Sequence, residues 1–328
     1  MPVMKRRILP VALTLFFAVV MSASADQRPS LLPKLQPGQT LTYLIRFRSD
    51  KKIKTESRVV MAMAPSGEQL DVHGLLRIDV LDVQESGGKP VVHAKAQFLA
   101  LDSGAWLKHP GAKKPNWDKA RVDPARKVIE FTISPDGSFE KISGLDALFP
   151  EQQRAWQEWA ARFATAWTLP AQGARVGDKW KSEQSEQSPS PIAGLAWAHD
   201  SSYVRNEPCH AGEMSLTGDF SPASGAPDTC AILLADARLS QKSSPKDATP
   251  EAFKVRELKT AGTAKGTNEI ITYISLTTGL VVRASEEAKQ QMDVVVAKAD
   301  GSNGVHYNID ATSQSEVLLI TETPLANP

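Results

Sequence analysis

Long stretches of the chain alternate apolar and polar positions with a period of two. In LTYLIRFRS, Leu41, Tyr43, Ile45 and Phe47 share one side, and Thr42, Leu44, Arg46 and Arg48 the other. ESRVVMAMA, LLRIDVLDV and PVVHAKAQFLAL continue in this manner, and ESGGKP between the last two is a turn signal. Near the C-terminus, GLVVRASEEAKQQMDVVVAK and GVHYNIDATSQSEVLLITE flank ADGSNG. Val305, Tyr307, Ile309 and Ala311 recur at period two, followed by Val317 and Leu319, while Arg283, Ser285, Glu287 and Lys289 mark a wet side. Successive side chains of a strand point to opposite faces, so the pattern predicts a long antiparallel hairpin with one apolar and one solvated face. Strands this long bend, and the expected fold is mainly β (α+β) with long curved antiparallel sheets.

One segment changes period. In FPEQQRAWQEWAARFATAWTLP, Trp156, Trp159, Ala160, Phe163 and Trp167 fall at i, i+3, i+4, i+7 and i+11, one stripe of an amphipathic helix. Pro150 suits the first helical turn, Glu151 its positive end, and Pro170 stops it, which predicts a helix over 150–169. Gln153, Arg154, Gln157, Glu158 and Arg162 fall mostly around the other side. Each large aromatic buries about 150–250 Å², so the stripe suits a helix laid across the open face of a sheet. The alternative is that Trp156, Trp159, Phe163 and Trp167 line a binding site for an apolar ligand. A membrane-surface helix would carry a lysine-rich polar face, and here two arginines are balanced by Glu151 and Glu158.

Similar turns recur. PGQTLTYLIRF at 37–47 resembles VGDKWKSEQS at 176–185, and ISPDGSFEKI at 133–142 resembles ISLTTGLVVRA at 274–284. Their common order suggests two related β-rich halves, 26–170 ending in the helix and 171–328 ending in the long hairpin. Reuse of hairpin chemistry by unrelated strands is the alternative.

The N-terminus adds an address. Lys5, Arg6 and Arg7 precede the apolar run ILPVALTLFFAVVM and the small residues SASA, the arrangement of a secretory signal peptide over 1–25, cleaved after Ala25. The apolar run is shorter than the roughly 20 residues that span a bilayer, so no transmembrane anchor is expected after cleavage. Removing residues 1–25 takes away those three basic groups and no acid, leaving 35 basic against 37 acidic side chains. Such a balance offers no general attraction to nucleic acid, and none is expected as a partner. The expected location is the periplasm or the exterior. Cys209 and Cys230 are the chain's two cysteines, and in an oxidising compartment a single pair is expected to form a disulfide. The competing reading, a metal or redox site with His210, lacks ligand spacing.

Basic residues concentrate in WLKHPGAKKPNWDKARVDPARK. Lys108, Lys113, Lys114, Lys119 and Arg121 with Trp106 and Trp117 form a candidate polyanion contact, and prolines 110, 115 and 124 predict a loop. A solvated loop over a sheet edge explains the same charges. The segments QSPSPIAG, SSPKDATPEAF and PCHAGEMSLTGDFSPASGAPDTC also have loop composition. The chain has no GxSxG, HExxH, phosphate-binding loop or dinucleotide fingerprint, and its six histidines stand singly, so no catalytic residue, metal or cofactor is assigned. Glu286 and Glu287 point to opposite faces of a strand and cannot act together, although folding can still assemble a carboxylate pair from distant positions.

The order GQTLTY, ISPDG with SGLDALFP, VGDKW and TYISLTTGLVVRASEE before the long hairpin resembles uncharacterised families of exported bacterial β-rich proteins with two similar halves. The likeness spans most of residues 35–320, rests on turn and strand signatures, and implies no catalytic residues. A looser similarity of fold is to the half-barrels of periplasmic lipoprotein and lipid carriers, whose concave sheet holds an acyl chain under a helix; this chain is longer. The expected function is non-enzymatic binding of an apolar ligand (a lipid or acyl chain) or of an envelope protein partner. A carboxylate-dependent hydrolase of envelope polymers and a structural envelope scaffold are the alternatives.

Overall fold

The alternating segments fold as strands, and the strands join edge to edge. The structure is a computed structural model and describes residues 29–56, 66–108, 118–121, 127–186, 190–214, 220–222 and 227–321. The leader and the stretch from Ser57 to Pro65, which holds most of ESRVVMAMA, lie outside the described residues. In the first part of the chain come β1 (Thr40–Glu56), β2 (Gly67–Ser86), β3 (Lys89–Lys108), β4 (Asp118–Arg121), β5 (Val128–Ile133), β6 (Phe139–Ser143) and helix α1 (Pro150–Phe163). Then follow β7 (Lys179–Ser185), β8 (Leu195–Cys209), β9 (Gly212–Met214), β10 (Phe220–Pro222), β11 (Asp228–Gln241), the short α2 (Glu251–Lys254), β12 (Leu258–Ser275), β13 (Val281–Lys298) and β14 (Val305–Thr321).

Eleven strands run in the order β6-β5-β3-β2-β1-β14-β13-β12-β11-β8-β7, each antiparallel to its neighbours. The chain starts at the middle with β1, steps outward to β6, crosses on α1, and returns inward from β7 to β14. The expected C-terminal hairpin is β13 and β14, in register with Ala284 opposite Val317 and Met292 opposite Ile309. Beyond Phe47, odd positions of β1 are half-buried and even positions exposed, the alternation of a sheet with one inner face.

The sheet curls. Ala105 of β3 and Gln184 of β7 line one cavity although eight strand-to-strand steps separate their strands. At about 4.8 Å per step a flat sheet would hold them roughly 38 Å apart. Only a trough brings both to one small space.

α1 lies in this trough. Pro150 occupies its first turn, where a missing N–H costs nothing. The Phe149 backbone N–H donates to Gln152 Oε1 at 3.1 Å, and Gln153 Nε2 donates to the carbonyls of Leu145 and Leu148, both at 3.2 Å. The α-helix ends sooner than its sequence predicts. From Ala164 to Thr168 the chain tightens into a 3-10 turn, in which the Thr165 and Thr168 hydroxyls donate back to the carbonyls of Ala161 and Thr165. Gly137, in the turn between β5 and β6, has φ +85°, and a Cβ there would come within 3.1 Å of Trp167 Cβ, so glycine suits both the turn and the close approach.

The aromatic stripe is the centre of the main core. Trp156, Trp159, Phe163 and Trp167 are all buried. The Trp159 ring meets Tyr43, Phe131, Phe139 and Phe163 with centroids 4.8–6.4 Å apart. Trp156 meets Phe131 edge-on at 5.0 Å. Trp167 Nε1 donates to the Pro90 carbonyl at 3.0 Å, and Tyr43 donates to the Val281 carbonyl at 3.1 Å; Phe139 of β6 and Trp180 of β7, from the two ends of the sheet order, pack against the same cluster. Replacing Trp159 by Ala empties the middle of this cluster, and urea unfolding should show a loss of about 3–5 kcal/mol.

On the outer face His306 of β14 bridges its neighbours, Nδ1 lying 3.0 Å from Glu56 of β1 and Nε2 2.7 Å from Asp293 of β13. Hydrogen bonds to Asp293 and then Glu56 hold its pKa above the ordinary imidazole value of 6.5. A raised histidine adds stability that is complete below the unfolded-state pKa and is lost as pH rises through the folded one. Chemical denaturation across pH 5.5–9 should therefore show a decline on the alkaline side of about 6.5 that His306→Gln abolishes.

Candidate functional site

Two apolar clusters occupy the inner face with a gap between them. The first is the core under α1; the second gathers Ile192, Leu195, Leu239, Ala248 and Val294 with Trp197, Met292, Tyr307 and Ile309 around it. Several positions that line the space between them are small, Ser49 on β1, Ala105 on β3, Ala288 on β13, and Ala311 and Ser313 on β14, and the polar Lys51, Glu68, Asn268, Glu286 and Gln290 stand among them. Gly266 of β12 lies outside this lining, and a Cβ there would meet the Lys289 carbonyl at 2.8 Å and the Trp197 ring at 3.0 Å, so glycine lets that indole lie close against the sheet. The result is a cavity of about 410 Å³ between α1 and the strands.

The wall formed by α1 is polar. Gln153, Arg154, Gln157, Glu158 and Arg162 all line the cavity, and Glu158 and Arg162 are buried. These residues lie opposite the aromatic stripe, as helical periodicity predicts, and that side lines the cavity. α1 is sunk in a trough, so the side opposite its aromatic stripe faces more sheet and not bulk water. Arg162 pairs with Glu286 of β13, a buried ion pair. Glu286 also accepts hydrogen bonds from Asn268 Nδ2 of β12 and, at 3.2 Å, from Ser315 Oγ of β14. Arg154 pairs with Glu158 at 2.8 Å, and its guanidinium lies 5.0 Å from the Phe47 ring centroid. Burial pushes the Glu158 carboxyl above the ordinary range; Arg154 opposes the rise and nearby Glu286 adds to it. His199 of β8 is held below its ordinary value by burial and then by the Arg162 charge, which favours the neutral ring. Arg162 Nε, Asn268 Oδ1 and His199 Nε2 are buried without a hydrogen-bond partner among the described residues.

The residues singled out from sequence fall in three places. The rings of Trp156, Trp159, Phe163 and Trp167 pack into the core, while the opposite side of the helix lines the cavity. Cys209 and Cys230 form a disulfide between the end of β8 and β11, in a small cluster with Ile232 and Val282. Lys108 lies at the end of β3, and Lys119 and Arg121 lie on β4, which pairs with β3; Lys113 and Lys114 lie outside the described residues. Prolines had predicted a loop through this region, and β4 is a correction: between the prolines, Asp118–Arg121 adds four residues to the β3 ladder. The segment from Cys209 to Cys230 likewise contains β9 and β10, paired with each other.

No protein-family model matches the chain, and no curated protein matches it. What stands of the family resemblance is the mainly β fold. Among solved structures, the chain is similar to one titled lipid-protein interactions in lipovitellin, at 10% identity over 89% of this chain, with a TM-score of 0.38. The match spans 26% of the lipovitellin chain, about a quarter of its length. An outer membrane channel from Pseudomonas putida matches at 10% identity, over 90% of this chain and 98% of that one, with a TM-score of 0.22. No helix among the described residues is long and apolar enough to cross a membrane.

Glu286 is the keystone of the polar wall. Glu286→Ala would strand Arg162 as an unpaired buried charge, and denaturant titration should show a loss of about 3–5 kcal/mol. The double replacement Arg162→Met with Glu286→Leu should recover much of it, because two apolar side chains leave no charge to solvate.

Proposed function

We propose that the protein is an exported, non-enzymatic binder of a single-chain amphiphile, held in the trough between α1 and the sheet. The observation that carries this reading is the cavity itself, lined by the small side chains of Ser49, Ala105, Ala288, Ala311 and Ser313 between two apolar clusters. At about 410 Å³ the cavity falls in the lower part of the ~300–1,000 Å³ range of small-molecule sites. Phe47, Leu70, Trp197, Met292 and Ile309 give it apolar walls. In this reading Trp156, Trp159, Phe163 and Trp167 anchor the covering helix, and the ligand meets the opposite side of α1. The leader read from residues 1–25 and the Cys209–Cys230 disulfide support an oxidising, extracytoplasmic setting.

Glu158 and Glu286 share the cavity, as the hydrolase alternative requires. Both Glu286 oxygens already accept hydrogen bonds, from Arg162 and Ser315 on one and Asn268 on the other, and Glu158 is held by Arg154. Carboxylates so engaged are poorly placed to attack or to activate water, which favours binding over hydrolysis.

Native mass spectrometry of the full-length gene product, purified without detergent from a bacterial periplasm, should show one bound amphiphile per chain. Ala288→Leu and Ala311→Leu should each remove that mass while melting temperature holds or rises, because they fill space without breaking a contact. A protein that carries no added mass and takes up no fluorescent acyl probe would overturn the proposal.

A further inference from the structure

Building on that reading, we infer that the cavity is the inner end of a longer apolar track. The polar end of the amphiphile stays beside α1, and its hydrocarbon runs out along β1, β14 and β13 toward Glu56, Val305 and Lys298. Ile53 and Tyr307, which lie beyond the cavity, then set the chain length it prefers. The inference rests on the strand register.

Paired positions of neighbouring strands carry their side chains on one face, so the register arranges the inner face in rows. One row joins Ala105, Leu70, Ser49, Ser313 and Ala288. The next joins Glu68, Lys51, Ala311 and Gln290, with Lys51 3.6 Å from Glu68. All of these line the cavity. Beyond them the rows turn apolar. Ile53, Ile309 and Met292 stand side by side, then Thr55, Tyr307 and Val294, then Val305 and Val296. Ile309 and Met292 also line the cavity, so its floor and the apolar rows are one surface. On one side this surface is walled, because Met292, Val296, Tyr307 and Ile309 pack against the second apolar cluster. On the other it stays open: Ile53, Tyr307 and Ile309 are only half-buried, although they share the concave face.

The lengths decide what lies there. The cavity extends from Ser313 to Ile309 along β14, roughly 14 Å at the rise of a strand. One hydrocarbon chain of a bilayer leaflet spans about 15 Å, half of the ~30 Å core. Such a chain and a polar end do not both fit in the cavity, and the rows from Ile309 to Val305 add roughly another 14 Å. The composition fixes the direction. Lys51, Glu68 and Gln290 face the polar end together with the Gln153 and Gln157 side of α1, while the rows farther from the helix suit the hydrocarbon. Each methylene laid on those rows should tighten binding about twofold, since one side of the chain stays wet.

The test holds the head constant and varies the chain. Monoacylglycerols with decanoyl, tetradecanoyl and octadecanoyl chains are competed against a fluorescent acyl probe bound to the full-length protein. The decanoyl chain fits the cavity alone, and the octadecanoyl chain should displace the probe at concentrations at least about tenfold lower. In Ile53→Asn, and independently in Tyr307→Ser, that advantage should shrink about threefold or more while the decanoyl compound binds as before; a thermal melt identifies any variant that has lost its fold. Equal displacement by all three chains on the unaltered protein would mean that something else covers the track, and would overturn the inference. Equal losses for short and long chains in the two variants would put the polar end on the track and overturn it as well. Either result leaves the binding reading intact. Failure of the probe and of every chain to bind would overturn the binding reading itself.

Discussion

A helix of fourteen residues cannot cover a sheet built from strands of seventeen to twenty. At 1.5 Å per residue α1 is about 21 Å long and, with its side chains, roughly 10–12 Å wide, while the central strands run to about 55–65 Å. Everything else on the inner face follows from this mismatch. Under the helix, large aromatics close the space completely. Beyond it, strands continue without a cover, and their inner positions must either find other partners or stay open. Ile192, Leu195 and Ala248 supply such partners at one end. Between the two solutions the sheet carries small and polar residues, and the cavity lies there.

The polar side of α1 solves a second problem. A helix crossing a trough has no dry way to turn its hydrophilic side toward water, so that side must be neutralised in place. Arg162 reaches Glu286, and Asn268 and Ser315 complete the carboxylate's bonding. Buried ion pairs seldom add net stability, because desolvation consumes most of the Coulombic attraction. Their geometric demand is high, however, and this one ties the helix to β13 while the aromatic stripe ties it to β1 and β5. The two attachments fix the rotation of α1 about its own axis, and so decide which atoms face the open space.

Much of this was legible in the sequence, and the exceptions have physical reasons. The β13–β14 hairpin could be read from period-two alternation because one face of each strand meets a core and the other meets water. The aromatic stripe could be read because i, i+3, i+4 spacing survives wherever a helix packs on one side. Helical periodicity places Glu158 and Arg162 opposite the stripe but carries no sign of whether that side meets water or more sheet, so their burial could not be read from it. The partner of Arg162 lies 124 residues away on β13, and pairing at that separation leaves no local signature. One signal was present nonetheless. Glu286 shares strand parity with Ala284 and Ala288, so it is a charge on the side that alternation marks as apolar. The strand β4 escaped notice because flanking prolines dominate a composition-based reading, whereas four residues are enough to extend a ladder that β3 already offers.

The seam between β1 and β14 sets the order in which such a chain can be completed. It joins Thr42 to Ile320, nearly the whole described length apart. As the polypeptide emerges, β1 has β2 on one side and nothing on the other until the last strand arrives. During that interval the middle of the final sheet is an open border, with a row of unsatisfied amides on a strand carrying Tyr43, Ile45 and Phe47. Such borders invite pairing with other chains. A chain that stops before β14 would leave that side of β1 without its partner strand.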